Sequence, residues 1–372
     1  EFIEGNDLQG VDRDKRVEVR LPFGVGRGIT TTITTRAAGG EIDYDSQLSG
    51  VMAFVYEAKS DNPEENELLA YHLFSNPSNK PLEGATGGWI ADNDDPTCGE
   101  IKFYVPVGDV YIYLLGNAQS SFLNFFPGVS GGDALGTQAE FFEKATPKWN
   151  GNIHSVDGYL PLTGMVNNNT GLCHVNEQGQ ISYTDEEGKT HILLPDGKHD
   201  EDNSFVLKRL MSKITMNIRE GKGVKFTARD YTVRHIPHYV SPTAQAWTEE
   251  ERDRILVEDA KPVNFGLLDS LTFTIYLPEN IRKVRSGVEI TEYRQRDKVV
   301  KTADNKNTEE TAPDDFHADN ADNHKGHYKF EFAPKASTYI ELTGWFENAD
   351  KTVAADVRYY IHLGNFGKDL NH

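Results

Sequence analysis

Alternation of apolar and polar positions with a period of two residues is the main pattern along this chain. It is clearest near the start, where charged or turn-forming residues separate Val17, Val19, Leu21 and Phe23. This alternation is typical of a β-strand with one face in a hydrophobic core and the other in solvent. Runs rich in β-branched and aromatic residues predict further strands at residues 29–35, 51–56, 101–105, 110–115, 207–218, 225–231, 271–277, 328–332, 338–346 and 357–363.

Helical periodicity is weak by comparison. Short helices are predicted only at residues 120–126, 137–144 and 248–256. Glycine, proline, asparagine and aspartate separate the strand candidates, as turns require. Short strands without alternating long helices favour β-sandwiches over a parallel α/β fold. The pattern therefore predicts an all-β protein with few short helices.

The length of 372 residues favours two domains. The best boundary is the polar stretch 195–203, which is rich in turn formers and divides the chain into predicted domains at residues 1–204 and 205–372. A second polar run, residues 302–323, lies between strand candidates. We interpret it as a long exposed loop rather than a linker, because strands follow it at once.

Charge narrows the classes of partner. The chain has 38 Lys and Arg residues against 58 Asp and Glu residues, a formal net charge of −20. Such a surface repels phosphate backbones and anionic lipids, so neither nucleic acid nor a membrane surface is an expected partner. No apolar run reaches the length of about 18 residues that a membrane span needs. Hydrophobic residues make up 37% of the chain, which is enough to form real cores.

Neither the cysteines nor the first residues decide the cellular compartment. Cys98 and Cys173 allow at most one disulfide bond, and the sequence leaves open whether they pair. The first residues are polar and acidic rather than basic and apolar, unlike a signal peptide. The chain is therefore expected to be either cytoplasmic or the mature form of an exported protein.

Motifs that suggest chemistry lack the structural context that the chemistry needs. Ser130 has the Gly-x-Ser-x-Gly pattern, but the required strand-to-helix turn is not predicted there. Residues 24–28 are glycine-rich but are followed by a β-branched run instead of the helix that holds a dinucleotide. His317, His324 and His327 lie among acidic residues at spacings that fit no compact metal motif. We predict no enzyme activity, no cofactor and no metal site.

One local feature suggests processing. A predicted strand at residues 29–35 is followed by Arg36, Ala37 and further small residues, so a protease could detach everything before Ala37. On local sequence alone, an ordinary first hairpin with a basic residue in its loop is the simpler interpretation. Arg20 and Arg27 are alternative cleavage points, but neither precedes so small and flexible a run.

The order of motifs along the chain resembles the Bacteroidales fimbrillins, the subunits of type V pili. Each motif is short, but together they extend over most of the sequence. The resembling segments are residues 35–37 before the acidic 41–45, the strand 51–56, residues 105–113, Leu-Pro-Leu-Thr-Gly at 160–164, Leu-Lys-Arg-Leu-Met-Ser-Lys-Ile at 207–214, Thr-Gly-Trp at 343–345 and Tyr-Tyr-Ile-His-Leu-Gly at 359–364.

This resemblance implies two tandem transthyretin-like, Greek-key β-sandwich domains and a lipoprotein precursor that reaches the cell surface through the periplasm and outer membrane. It implies cleavage between Arg36 and Ala37 by an arginine-specific protease, followed by assembly with other fimbrial subunits through β-strand complementation. The removed strand would otherwise fill a groove in the core. The candidate groove-filling residues are Val17, Val19, Leu21 and Phe23, with Ile29 and Ile33 as rivals for the role.

Several alternatives remain open within this interpretation. Family members usually continue beyond the segment that ends here at His372, so we expect the second domain to be truncated at its end. Stalk, tip and anchor roles are all compatible with the sequence, and the adhesion ligand could be a host or a bacterial surface. The alternative function is a surface glycan-binding β-sandwich, in which tryptophans form aromatic platforms. The candidates are Trp89, Trp149, Trp247 and Trp345.

Overall fold

The computed structural model describes residues 12–25, 48–78, 82–92, 97–118, 123–124, 135–144, 148–154, 159–166, 170–194, 204–240, 257–267, 271–278, 299–301, 330–332 and 338–363. The described residues are 61% strand and 4% helix, which confirms the predicted all-β class. The chain divides into two compact units. Unit 1 comprises Glu1–Ser212 and Val240–Gln245, and unit 2 comprises Lys213–Tyr239 and Ala246–His372.

Unit 1 is organised around one ten-stranded sheet. Its described elements are β1 (Asp12–Val25), β2 (Gly50–Glu57), β3 (Leu68–Ser75), β4 (Trp89–Ala91), β5 (Cys98–Gly116), β6 (Leu123–Asn124), α1 (Gln138–Lys144), β7 (Lys148–Trp149), β8 (Leu162–Gly164), β9 (Leu172–Val175), β10 (Ile181–Thr184), β11 (Thr190–Ile192) and β12 (Phe205–Arg209). The strand order is β1-β12-β8-β5-β9-β10-β11, with β2 and β4 also paired to β5, and β3 paired to β2. β1 also pairs directly with β5, so β1, β12, β8 and β5 form a closed circuit of pairings.

The long strand β5 connects the two parts of this sheet. Its first half pairs with β1 and β4, and its second half pairs with β2, β9 and β8. The partners change near Gly108, whose φ of 128° is a conformation that residues with a side chain rarely adopt. Apolar residues from both halves of β5, including Ile101 and Ile112, belong to a single buried core cluster.

Unit 2 contains shorter and more separate sheets. Its described strands are β13 (Met211–Asn217, which begins in unit 1), β14 (Val224–Arg234), β15 (Ile236–Pro237), β16 (Val257–Glu258), β17 (Val263–Asn264), β18 (Thr272–Pro278), β19 (Val299–Lys301), β20 (Phe330–Phe332), β21 (Tyr339–Asn348) and β22 (Ala354–His362), with a 3₁₀ turn at Phe265–Leu267. The largest sheet has the order β17-β14-β21-β22. One face of it is buried, and there Tyr231 stacks on Phe273 at a centroid distance of 4.2 Å.

Several sequence predictions need correction. The predicted single strand 207–218 is two strands, β12 and β13, which pair in different sheets. They separate at Leu210, whose N–H donates to the Pro161 carbonyl at 2.9 Å. Consequently β12, which the sequence assigned to the second domain, pairs within unit 1. The predicted helix 120–126 contains a short strand, β6, while the predicted strands 101–105 and 110–115 are both parts of β5. The predicted strand 29–35 and helix 248–256 lie outside the described residues.

Candidate functional site

The candidate site is β1, the predicted groove-filling strand. β1 runs antiparallel to the first half of β5, with Val19 opposite Phe103 and Leu21 opposite Ile101. At its end, Phe23 lies opposite Phe205 of β12, in a short parallel pairing. β1 is therefore an integral strand of the unit 1 sheet.

Burial along β1 follows the predicted alternation from Val17 to Leu21, beyond which Pro22 and Gly24 are buried together with Phe23. Val19, Leu21 and Phe23 are 0% exposed, and Val17 is partly buried at the edge of the core cluster. Arg20, between two core positions, is exposed. The side chains that alternation placed on one face of the strand thus insert together into the core of unit 1.

Phe23 has the most specific environment of these residues. It faces Gly99 across the strand pair, and a Cβ added at Gly99 would lie 3.0 Å from the ring. Its ring packs edge-on against Trp89 at a centroid distance of 5.0 Å. The missing side chain at Gly99 makes the space that the phenyl ring occupies.

The start of β1 is irregular and carries its charged contacts. The register with β5 shifts between Asp12 and Arg16, opposite Pro106, which has no N–H to donate to the ladder. Within this bulge the Asp12 carboxylate accepts the Asp14 N–H at 3.1 Å and the Lys15 N–H at 3.3 Å. These hydrogen bonds hold the backbone of the bulge in place.

Two basic side chains of the bulge form ion pairs with other segments of unit 1. Arg13 binds Glu57 of β2, and its guanidinium lies 2.7 Å from the Glu67 carboxylate. Lys15 lies 2.6 Å from Glu177. The hydrogen bond from Arg13 lowers the pKa of Glu67. Because these pairs are solvent-exposed, they position the strand more than they stabilise it.

The turn between β9 and β10 lies directly over β1. Gly179 in this turn has a φ of +77°, and a Cβ built there would lie 2.1 Å from the Glu18 carbonyl oxygen. Only glycine allows so close an approach of two backbones. Sequence reasoning missed this contact, although Asn-x-x-Gly at residues 176–179 is a turn signal, because turn residues do not reveal what the turn touches.

Other predicted site residues fall outside the described part of the chain. These are the cleavage pair Arg36 and Ala37, the rival groove-fillers Ile29 and Ile33, the serine motif around Ser130, and His317, His324 and His327. The described ranges contain no cluster of three or more His, Cys, Asp or Glu residues able to hold a metal ion. They also contain no helix long and apolar enough to span a bilayer.

The cysteines and tryptophans have distinct environments. Cys98 and Cys173 are buried thiols that form no disulfide bond, and burial raises the pKa of Cys173. Trp149 is 2% exposed and donates to the Asn152 carbonyl, so it cannot serve as a surface platform. Trp89 is partly buried against Phe23, and Trp247 lies outside the described residues. Trp345 of β21 is 39% exposed.

No family model matches this chain, and no curated protein matches its sequence. Among solved structures, the chain is similar to a candidate cell adhesion protein from Parabacteroides distasonis, with 9% identity, a TM-score of 0.45, and coverage of 94% of this chain and 84% of that protein. A second candidate cell adhesion protein from the same organism has 11% identity and a TM-score of 0.40 over 92% and 79% of the two chains. A candidate adhesin from Bacteroides ovatus has 10% identity and a TM-score of 0.31 over 98% and 92%. At these values the similarity assigns no family to the chain.

Proposed function

We propose that this protein is a structural and adhesive subunit of cell-surface fimbriae, assembled by proteolytic removal of β1 and insertion of a strand from another subunit in its place. The observation that carries the proposal is the complete burial of Val19, Leu21 and Phe23 from one strand near the start of the sequence. The fimbrillin-like motif order supports the same function, as does the candidate cleavage bond between Arg36 and Ala37, which follows β1 in the chain.

The energetics explain why a strand would have to be replaced rather than simply lost. Complete burial of these three side chains stabilises unit 1 by about 5–9 kcal/mol before ordering costs. A typical domain has a net stability of only about 5–15 kcal/mol. Without β1, the unit would expose an apolar groove and the unpaired backbone edge of β5, which together favour capture of another strand.

The proposal defines the partners by their chemistry. An incoming strand needs large apolar side chains at alternate positions to match the sites of Val19, Leu21 and Phe23. The remaining expected partners are an arginine-specific protease, which acts at Arg36, and a ligand on a host or bacterial surface. The expected location is the cell surface, reached through a lipoprotein precursor. Such assembly needs no cofactor and no catalytic residue in this chain.

Limited digestion of the purified chain with an arginine-specific protease tests the proposal. We expect a cut that leaves Ala37 as the new first residue, identified by mass spectrometry. We also expect the β1 fragment to stay bound to the rest of the chain after the cut. Once mild denaturant has released the fragment, the remaining chain should form multimers in size-exclusion chromatography. A synthetic peptide of residues 12–25, added in excess, should suppress these multimers.

Two variants serve as matched controls for the cleavage. Arg36→Gln should resist the cut that exposes Ala37 and remain monomeric, whereas Arg27→Gln should be processed like the natural sequence. Loss of the β1 fragment without any change in assembly would refute strand exchange. So would a folded protein that is not cut at Arg36.

The alternative is a surface glycan-binding protein. A specific observation favours it, namely the exposure of Trp345 on the sheet of unit 2.

A further inference from the structure

The largest sheet of unit 2 has two faces of different chemistry. On the buried face, Tyr231, Val233 and Ile340 are 0% exposed. Residues of the opposite face, here called the polar face, alternate along each strand with residues of the buried face. The registers of β14, β21 and β22 place on the polar face Asp230, Thr232, Arg234, Tyr339, Glu341, Thr343, Trp345, Asp356, Arg358 and Tyr360.

A depression of about 460 Å³ lies on the polar face. Ion pairs hold the planar charged groups that line it. The Glu341 carboxylate lies 3.4 Å from Arg234 and 3.3 Å from Arg358, and Arg229 lies 2.5 Å from Asp356. Groups fixed in this way lose little side-chain freedom when a ligand binds, which favours affinity.

A hydroxyl at this depression has no partner. Thr343 lines it, and its Oγ1 is buried without a hydrogen bond within the described part of the chain. Unpaired buried polar atoms are costly and rare in folded proteins, and ordered water or a ligand usually satisfies them. The depression therefore offers fixed carboxylates and guanidinium groups together with a hydroxyl that still has hydrogen-bonding capacity.

Two exposed aromatic residues share the polar face with these charged groups. Trp345 is 39% exposed and Tyr360 is 53% exposed. Tyr360 packs edge-on against Tyr339 at a centroid distance of 5.9 Å, which fixes its orientation. Trp345 lies opposite Asp356, four residues before Tyr360 on β22, so the backbone positions of the two aromatic residues are about 13 Å apart along the strand direction, a span of about three pyranose rings.

The charge balance selects among ligand classes. The face and its edge carry three arginines and four carboxylates, and the whole chain has a net charge of −20, so an anionic ligand would meet net repulsion. An uncharged saccharide fits better, because its hydroxyls pair with carboxylate and guanidinium groups while its C–H faces stack on aromatic rings. The charged groups are Arg229, Arg234, Arg358, Asp230, Asp259, Glu341 and Asp356.

We propose that the polar face of unit 2 binds an uncharged oligosaccharide of about three to four sugar units. Trp345 and Tyr360 act as the stacking platforms, Arg358 binds hydroxyls between them, and Glu341 binds hydroxyls beside Tyr360. This inference goes beyond the proposed assembly function, because it rests on unit 2 alone and holds whether or not β1 is exchanged. It assigns a chemical class to the surface ligand.

The test is binding of the full chain to an array of uncharged tetrasaccharides of glucose, galactose, mannose and N-acetylglucosamine. Sialylated and sulfated oligosaccharides are printed beside them. We expect at least one uncharged glycan to bind, confirmed by isothermal titration calorimetry in solution. Trp345→Ala and Tyr360→Ala should each weaken that binding at least tenfold.

Tyr359→Ala is the matched control. Tyr359 neighbours Tyr360, is 44% exposed, and points to the other face of the strand, so its loss should leave binding unchanged. Circular dichroism checks that each variant folds. If one of the two platform variants, Trp345→Ala or Tyr360→Ala, does not fold, the other decides the test. Absence of binding to every uncharged glycan would overturn the inference, as would binding only to the anionic glycans or equal losses in all three variants. None of these results bears on cleavage at Arg36, so the proposed glycan site and the proposed assembly function can be refuted independently of each other.

Discussion

β1 and β22 have similar backbone pairing and opposite side-chain environments. Each pairs antiparallel with a longer neighbour, β1 with β5 and β22 with β21. On β1, Leu21 and Phe23 are fully buried, whereas on β22 Tyr359 and Tyr360 are 44% and 53% exposed. Backbone pairing therefore does not determine how much a strand contributes to stability. The contribution depends on whether its side chains complete a core.

The neighbours of the aromatic residues show how this difference arises. Phe23 lies opposite a glycine and against Trp89, within a cluster drawn from many strands. Tyr359 has an edge-on contact with Phe226 and also meets solvent. Loss of β1 would open the centre of unit 1, whereas the tyrosine rings of β22 remain partly in solvent. These environments match the different roles proposed above for the two strands.

The largest expected effect comes from placing a charge on each strand. Leu21→Asp should destabilise unit 1 by about 3–5 kcal/mol, because it removes a buried side chain and buries an unpaired carboxylate. Tyr359→Asp on β22 should cost clearly less, about 1 kcal/mol, because the ring is already 44% exposed and loses only an edge-on contact with Phe226. Hydrogen–deuterium exchange in increasing urea resolves the peptides of each unit. Equal losses in the two variants would show that β1 is not a special component of the core.

An intermediate effect is expected at the turn over β1. Gly179→Ala should destabilise unit 1 by about 2–3 kcal/mol, because the new Cβ collides with the Glu18 backbone at an unfavourable φ. Gly188→Ala is the control, since Gly188 has a φ of +78° but nothing within 4 Å of the added Cβ, and it should cost only about 1 kcal/mol. Thermal unfolding of the two variants measures the difference. If both lose the same stability, the close approach to β1 contributes nothing.

The smallest effect concerns the ion pairs of the bulge. The pKa of Glu67 is lowered by Arg13, so the pair stabilises the fold at pH values above the ordinary Glu pKa of 4.5. That contribution disappears as the pH falls through the lowered pKa of the folded state. Arg13→Ala should therefore cost a little stability at pH 7 and low salt, and still less at pH 3 or in 1 M salt. Urea unfolding at the two pH values checks this, and a loss independent of both pH and salt would contradict it.

Much of unit 1 and part of unit 2 could be predicted from local pattern. Alternation located β1, and runs rich in β-branched and aromatic residues located β2 and three strands of the largest unit 2 sheet, β14, β21 and β22. The same rule failed at residues 207–218, since Leu210 interrupts pairing without interrupting the run of apolar residues. The helix prediction at residues 120–126 was also wrong where the structure describes it, since Leu123–Asn124 form a short strand. Alternation reports burial along a strand but carries no information about a change of partner.

Most of the site depended on contacts between distant residues. Val19, Leu21 and Phe23 were predictable as one face of a strand. The position of Gly179 over Glu18 was not, because it joins residues far apart in sequence. The pairing of Arg13 with Glu57 and Glu67 could not be predicted from the sequence either. The chain has so many charged residues that composition alone does not select partners.

The sequence by itself determined the all-β class, the face of β1 that enters the core and the strongly negative net charge, since these follow from the pattern of side chains and from composition. Only the tertiary structure decided that β1 lies against β5, that Trp149 is buried while Trp345 is exposed, and that exposed aromatic residues share one face of the unit 2 sheet with a charged depression. The physical reason is that burial and register are properties of pairs of strands. A single strand specifies which side chains share a face, and the neighbouring strands determine whether that face becomes core or surface.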